Sequence, residues 1–195
     1  MKKVCFVVSH IGSGSSELVS SLNGNPRCEI HSTRVQYSSP ESLNWMFSRG
    51  HKMRNSSAVY GDHLLFNASL SCRKLYEFCK FIYVIRPARP SLSSIMSSGY
   101  GEDEASRYYR FRLRRICEMA KRTPGAVFAT WDDLVRGEVL RSIESYLGLT
   151  TPLEAIDASE DASATPRESV VEQCQDAYER YHYFLKNLAL EGVIS

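Results

Sequence analysis

A chain of 195 residues is long enough for one substantial core and is expected to form a single domain spanning residues 1–195. Apolar residues make up 43% and charged residues 24%, and 24 basic against 22 acidic side chains leave a net charge of +2. Nothing in that balance calls for a nucleic-acid partner, and the longest early apolar run, Val4 to Val8, is far too short to span a membrane.

The first predicted strand, Lys3–Ser9, is apolar almost throughout and runs into Gly12-Ser13-Gly14-Ser15-Ser16, after which a helix is expected from Ser15 to Leu22. Asn23-Gly24 and Pro26 end that helix. Short β-branched or aromatic runs at Glu29–Thr33 and Ala58–Tyr60 read as further strands, separated by Tyr37–Ser57, which reads as irregular. Phe81–Ile85 reads as a strand buried on both faces, with Arg86 at its carboxyl end, and Ser91–Ser98 reads as a short helix after Pro90. A long helix is expected over Glu102–Arg122. Its acids Glu102, Asp103 and Glu104 oppose the helix dipole, and Tyr109, Leu113, Ile116 and Ala120 form an apolar stripe. A fifth strand, Ala126–Trp131, precedes a helix marked by Val139, Leu140, Ile143 and Leu147 and closed by Gly148. Thr150–Ala164 is acidic, small and polar, and reads as irregular. The last helix opens on a capping box, Thr165-Pro166-Arg167-Glu168, and buries Val171, Cys174, Tyr178, Tyr181, Leu185 and Leu188. Tyr183 is expected to pack with this helix too. Strands alternating with helices predict an α/β fold: a mainly parallel five-stranded sheet flanked by helices.

Six scattered cysteines with no C-x-x-C, and five dispersed histidines, imply reduced, mostly buried thiols and no metal site. Lys2 and Lys3 precede the first strand without an A-x-A-like site after it, so no signal peptide is expected and the chain reads as cytoplasmic.

Two segments carry the functional signal. A strand entering a tight turn and then a helix presents several backbone N–H groups and a partial positive charge at one point, which suits an anion. Gly12 and Gly14 permit close approach, and Ser13, Ser15 and Ser16 offer hydroxyl donors. The Lys of G-x-x-x-x-G-K-[ST] is missing, so the turn is not a Walker A motif. Arg86 lies where open α/β sheets place ligands, and Ser94 follows it by the length of a turn and one helical turn; together they suit a second phosphate.

Ser13-Gly14-Ser15-Ser16 resembles the last four positions of the 5′-phosphosulfate loop of sulfotransferases, written [K/R]-S-G-[T/S]-[T/S]. The Tyr83–Ser94 segment, with Arg86, the prolines and Ser94, resembles that family's 3′-phosphate segment. Tyr108–Thr123, then Ala126–Leu134, then Gly137–Leu149 are similar to its helix, its strand with "Y-E-D-L" and its helix ending in "LGL". The resemblance implies a P-loop-like sulfotransferase fold and 3′-phosphoadenosine-5′-phosphosulfate (PAPS) as co-substrate. It also implies a small-molecule or carbohydrate acceptor carrying a hydroxyl or amine. Binding would fall to Gly12, Ser13, Gly14, Ser15, Ser16, Arg86 and Ser94. His63 occupies a position similar to the family's general base, with Asp62 as the alternative.

The chain departs from the family at the loop cation, whose position falls on Gly12, and His10, Arg34, Lys52 and Arg54 are candidates to replace it. The family's basic C-terminal segment is also missing, with Arg167 as a stand-in. Arg107, Arg110, Arg112, Arg114, Arg115, Lys121 and Arg122 crowd the Glu102–Arg122 helix, and most of them read as a solvated face rather than a cradle for an anionic acceptor or nucleotide. A nucleotide-binding module without turnover and a P-loop small-molecule kinase remain the alternatives.

Overall fold

A computed structural model describes residues 3–33, 37, 41–42, 44, 48, 58–66, 70, 73–157 and 163–191. The elements run β1 (Lys3–Val8), α1 (Ser15–Gly24), β2 (Cys28–His31), β3 (Val59–Leu64), α2 (Arg73–Phe78), β4 (Lys80–Ile85), α3 (Ala88–Ser97), α4 (Glu102–Ala120), β5 (Val127–Thr130), α5 (Trp131–Val135), α6 (Leu140–Leu147) and α7 (Glu168–Glu191). The five strands form one sheet in the order β2-β3-β1-β4-β5, and every pairing is parallel. The α/β sheet flanked by helices matches the sequence expectation.

Alternation along the strands divides the core into two layers. Val4, Phe6 and Val8 of β1, with Phe81, Tyr83 and Ile85 of β4, face α3, α4 and α7. Cys5 and Val7, with Ile82 and Val84, face α1, α5 and α6. Both faces are covered, which is why β1 and β4 read as continuous apolar runs. Among the described cysteines, Cys5, Cys28, Cys117 and Cys174 are buried thiols and Cys79 is half-buried. No described helix is long and apolar enough to cross a membrane.

Several boundaries differ from the expectation, each for a local reason. β3 extends to Leu64 rather than ending at Tyr60, so Gly61, Asp62 and His63 lie inside a strand. Their polar groups find tertiary partners, which removes the penalty that argued for a loop. α3 begins at Ala88, not Ser91, because Pro90 falls in its first turn, where a missing N–H breaks no helical bond. Trp131 starts a short helix instead of ending β5. Thr130 caps that helix by accepting from the Asp133 N–H at 3.2 Å, while the Asp133 carboxylate accepts from the Thr130 N–H at 2.9 Å. α7 starts at Glu168, and the Arg167 N–H donates to Glu102 at 2.5 Å. Tyr183 is 71% exposed and does not pack the last helix. Within 37–57, read as irregular, Glu41, Ser42, Asn44 and Ser48 are helical.

Candidate functional site

The carboxyl ends of β1, β3 and β4 meet at the centre of the sheet, where the strand order reverses and ligands of such sheets bind. A cleft of about 270 Å³ opens there. Its lining includes all of Gly12–Ser16 together with Arg86 and Ser94, so the two anion-binding segments read from the sequence, far apart along the chain, share one opening. His10, Ile11, Glu17 and Leu65 complete the wall.

Both glycines are required by close approach as well as by backbone conformation. Gly12 has φ +75°, and a Cβ placed on it would lie 2.6 Å from Ser94 Cβ. Gly14, the N-cap of α1, has φ +80°, and its Cβ would lie 1.9 Å from the Trp131 ring. No L side chain fits either place without displacing a neighbour. Helix α3 thus occupies the space a side chain at position 12 would need, so a lysine or arginine there is excluded by packing.

Trp131 joins the two halves. Its ring presses on Gly14, and the Arg86 guanidinium lies 4.8 Å from the ring centroid. A cation over an aromatic face is attracted by the ring's quadrupole, which favours holding Arg86 beside the turn. The Arg86 N–H donates to His10 Nε2 at 3.2 Å, and His10 Nδ1 bonds the Ile11 carbonyl at 2.8 Å. A carbonyl only accepts and an N–H only donates, so the His10 proton sits on Nδ1 and the ring is neutral. Burial, with the nearby Arg112 and Arg86 charges, lowers its pKa from 6.5 to about 4. His10 therefore does not replace the loop cation. Arg34, Lys52 and Arg54 lie outside the described residues.

The loop serines close a second network. Ser15 Oγ lies 2.8 Å from His63 Nε2 and 2.7 Å from Ser9 Oγ, and it accepts from Ser13 Oγ at 2.9 Å. His63 Nε2 is also 3.0 Å from Ser9 Oγ. A neutral His63 with its proton on Nδ1 satisfies this set: Ser15 donates to Nε2 and accepts from Ser9 and Ser13. Burial first, then the Arg112 charge, lowers the His63 pKa to about 4, in keeping with that neutral form. The hydroxyls of Ser13 and Ser15 are thus engaged within the loop. Ser16, by contrast, is exposed and lines the cleft at the first turn of α1, where helical N–H groups lack intrahelical partners.

Asp62 and His63 are neighbours in β3 and point to opposite faces. Asp62 accepts from the Thr33 N–H at 2.8 Å, from the Thr33 hydroxyl, from Tyr37 Oη at 2.6 Å and from the His63 N–H at 2.9 Å. Its carboxylate ties the exit of β2 to the sheet, away from the cleft. Arg167 pairs with Glu102 and, at 3.6 Å, with Asp103, at the N-terminus of α4. Among the described residues no cluster of three His, Cys, Asp or Glu side chains gathers.

Helix α4 fastens the site from behind. Tyr108 Oη accepts from the Ile11 N–H at 3.2 Å and donates to the Leu65 carbonyl at 2.7 Å. Tyr109 Oη donates to the Arg86 carbonyl at 2.7 Å. Arg112 donates to the Ser9 and Leu64 carbonyls at 2.7 and 2.5 Å. Sequence reasoning placed none of these at the site. Two signals were available: Arg112 falls on the same helical face as Tyr109, Leu113 and Ile116, and Trp131 stands at a strand's carboxyl end, as Arg86 does.

No family model matches the chain, and no curated protein matches it. Solved structures do. A sulfotransferase from Alicyclobacillus acidocaldarius superposes with a TM-score of 0.62 at 14% identity, covering 97% of this chain and 96% of that one. Mouse sulfotransferase SULT7A1, complexed with PAP, gives a TM-score of 0.50 at 14% identity, covering 91% of this chain and 64% of that one. At such identities the likeness is one of architecture: the chain has the five-stranded parallel α/β fold of the sulfotransferases.

Proposed function

We propose that the chain is a sulfotransferase whose central cleft holds PAPS, with its 5′ end on the Gly12–Ser16 turn and its 3′-phosphate on Arg86 and Ser94. The observation that carries this reading is the convergence of both segments on one cleft, with Trp131 joining them. The PAP bound to the structural neighbour from mouse supports it. The residues present fit the group. The turn at the N-terminus of α1 lines the opening, and the Arg86 guanidinium lies over the indole of Trp131 beside it. Bound there, the donor supplies a sulfuryl group for a hydroxyl or amine of a small-molecule or carbohydrate acceptor.

The chain's own part is to grip both anionic ends, to hold them in line and to remove the acceptor proton. His63 is neutral near pH 7 and is the proposed proton acceptor. It is buried behind Ser15, whose hydroxyl donates to Nε2 and accepts from Ser9 and Ser13; one of those two accepted bonds opens for Ser15 to take the acceptor's proton as it passes its own to Nε2. Asp62, with four donors on its carboxylate, keeps a structural role in this reading. A nucleotide-binding module without turnover is the second reading, favoured by Gly12 and the neutral His10.

Thermal shift tests the proposal. Adenosine 3′,5′-bisphosphate at about 100 times its Kd stabilises a folded-state binder by about 2.7 kcal/mol. It is expected to stabilise this protein more than ATP–Mg²⁺ does, and Arg86→Ala is expected to lose the response. A larger response to ATP–Mg²⁺, or none to either nucleotide, refutes the reading. Release of adenosine 3′,5′-bisphosphate from PAPS separates turnover from binding alone.

A further inference from the structure

The bulkiest fully buried side chain among the described residues is a charged one, Arg112, at 1% exposure. Burial lowers its pKa to about 10, which leaves it protonated at neutral pH. Its hydrogen bonds go to the carbonyls of Ser9 and Leu64, where β1 and β3 end. Neither partner carries charge, and no ion pair to Arg112 occurs among the described residues. Two carbonyls need only two donors, which a neutral amide would provide. A whole cation buried without a counter-ion is destabilising, so it exceeds what the strand ends require.

The charge sits directly behind the anion-binding turn. Ser9, whose carbonyl it holds, bonds Ser15 through its hydroxyl. His10 and His63, on either side of the turn, both have pKa values lowered in part by Arg112. Position 12 carries no cation, and α3 leaves no room for one. We infer that Arg112 supplies, from beneath the turn, the positive charge that position 12 lacks, and so sets the affinity of the cleft for a polyanion. It acts through its field and through Ser9 and touches no ligand; it is a positioning residue. A buried charge is screened little by salt and needs no rearrangement when an anion arrives. This inference rests on the reading of the cleft as a phosphorylated-nucleotide site.

Two variants separate charge from hydrogen bonding. R112Q removes the charge and keeps a donor; R112K keeps the charge with different donors. Calorimetric titration with adenosine 3′,5′-bisphosphate is expected to show a loss of roughly tenfold or more for R112Q, the scale of one unit charge acting across a few residues, and near wild-type affinity for R112K. The His63 titration followed by NMR is expected to move upward in R112Q and to stay in place in R112K, a response that a merely structural role would not produce. A folded R112Q with unchanged affinity overturns the inference, as does a His63 titration that does not move. If R112Q does not fold, R112K decides: tenfold weaker binding there assigns the effect to guanidinium geometry and overturns the role of charge. If the wild-type protein fails to bind adenosine 3′,5′-bisphosphate, the functional reading falls and inorganic pyrophosphate becomes the probe. Equal pyrophosphate affinity in wild type and R112Q, or none in either, then overturns the inference by itself.

Discussion

Replacing Gly12 by alanine tests the claim that helix α3 closes over the turn. The new Cβ would lie 2.6 Å from Ser94 Cβ, 2.9 Å from Ser94 Oγ and 3.2 Å from the Ser91 carbonyl. Two of these neighbours are helix backbone or Cβ atoms and cannot rotate away. The φ of +75° adds left-handed strain of about 1–2 kcal/mol. Overpacking against a fixed helix adds about 1–3 kcal/mol. The expected loss is therefore about 2–5 kcal/mol, or roughly 5–15 °C in Tm for a chain of this size. Gly125→Ala is the control, since Gly125 has φ +73° with nothing within 4 Å of its Cβ, so it carries the strain alone. Urea and thermal unfolding of both variants give the contact term by difference. Ser94→Gly removes the opposing Cβ, and adding it to Gly12→Ala is expected to recover part of the loss in a double-mutant cycle. Equal destabilisation by Gly12→Ala and Gly125→Ala, with no coupling to position 94, would refute the close approach. It would also reopen position 12 to a cationic side chain.

Trp131→Ala strips the ring from between Gly14 and Arg86. A loss of about 3–5 kcal/mol is expected, with weaker binding of adenosine 3′,5′-bisphosphate, while Trp131→Phe keeps part of both. Unaltered binding by a folded Trp131→Ala protein would show that the indole does not hold Arg86 beside the turn. Stability is also expected to fall in mild acid. His10 and His63 have folded pKa values of about 4 against an ordinary 6.5, chiefly because burial strips solvent from the charged ring. Between those values the unfolded chain binds more protons than the folded one. Stability is thus full above about pH 6.5 and declines as pH drops towards 4, with a slope approaching 2.7 kcal/mol per pH unit for two sites. Urea midpoints from pH 7.5 to 4.5 measure this; His63→Asn should lower the slope, and a flat profile contradicts the neutral buried rings.

What was legible in the sequence is what local chemistry dictates. Gly12 and Gly14 in a strand–helix turn, and Arg86 with Ser94 after an apolar strand, could be read because turn geometry and spacing are properties of a few consecutive residues. The sheet was readable because β1 and β4 are apolar on both faces. The length of β3 was not, because Asp62 and His63 are tolerable in a strand only once Thr33, Tyr37, Ser9 and Ser15 satisfy them. Those partners come from other parts of the chain, and no local signal announces them. Arg112 failed for a related reason. Surrounded by other arginines, it reads as part of a wet surface. Arg114 and Arg115 do belong to that surface, paired with Glu118. Only the position of Arg112 on the apolar face distinguishes it. Trp131 was hidden by its place at a boundary, where strand and helix readings compete.

Helix α4 lines no part of the cleft, yet Tyr108, Tyr109 and Arg112 fasten the ends of β1, β3 and β4 to it. The site therefore has no existence apart from the docking of that helix. Any ligand that tightens the turn must also tighten α4, and hydrogen exchange of the α4 amides becomes a remote gauge of occupancy. By the same linkage, if the cleft binds as proposed, loosening α4 from outside, at Glu118 or at the Glu102–Arg167 pair, is expected to lower affinity without touching the opening. The outer surface of one helix is thereby a place from which binding can be tuned.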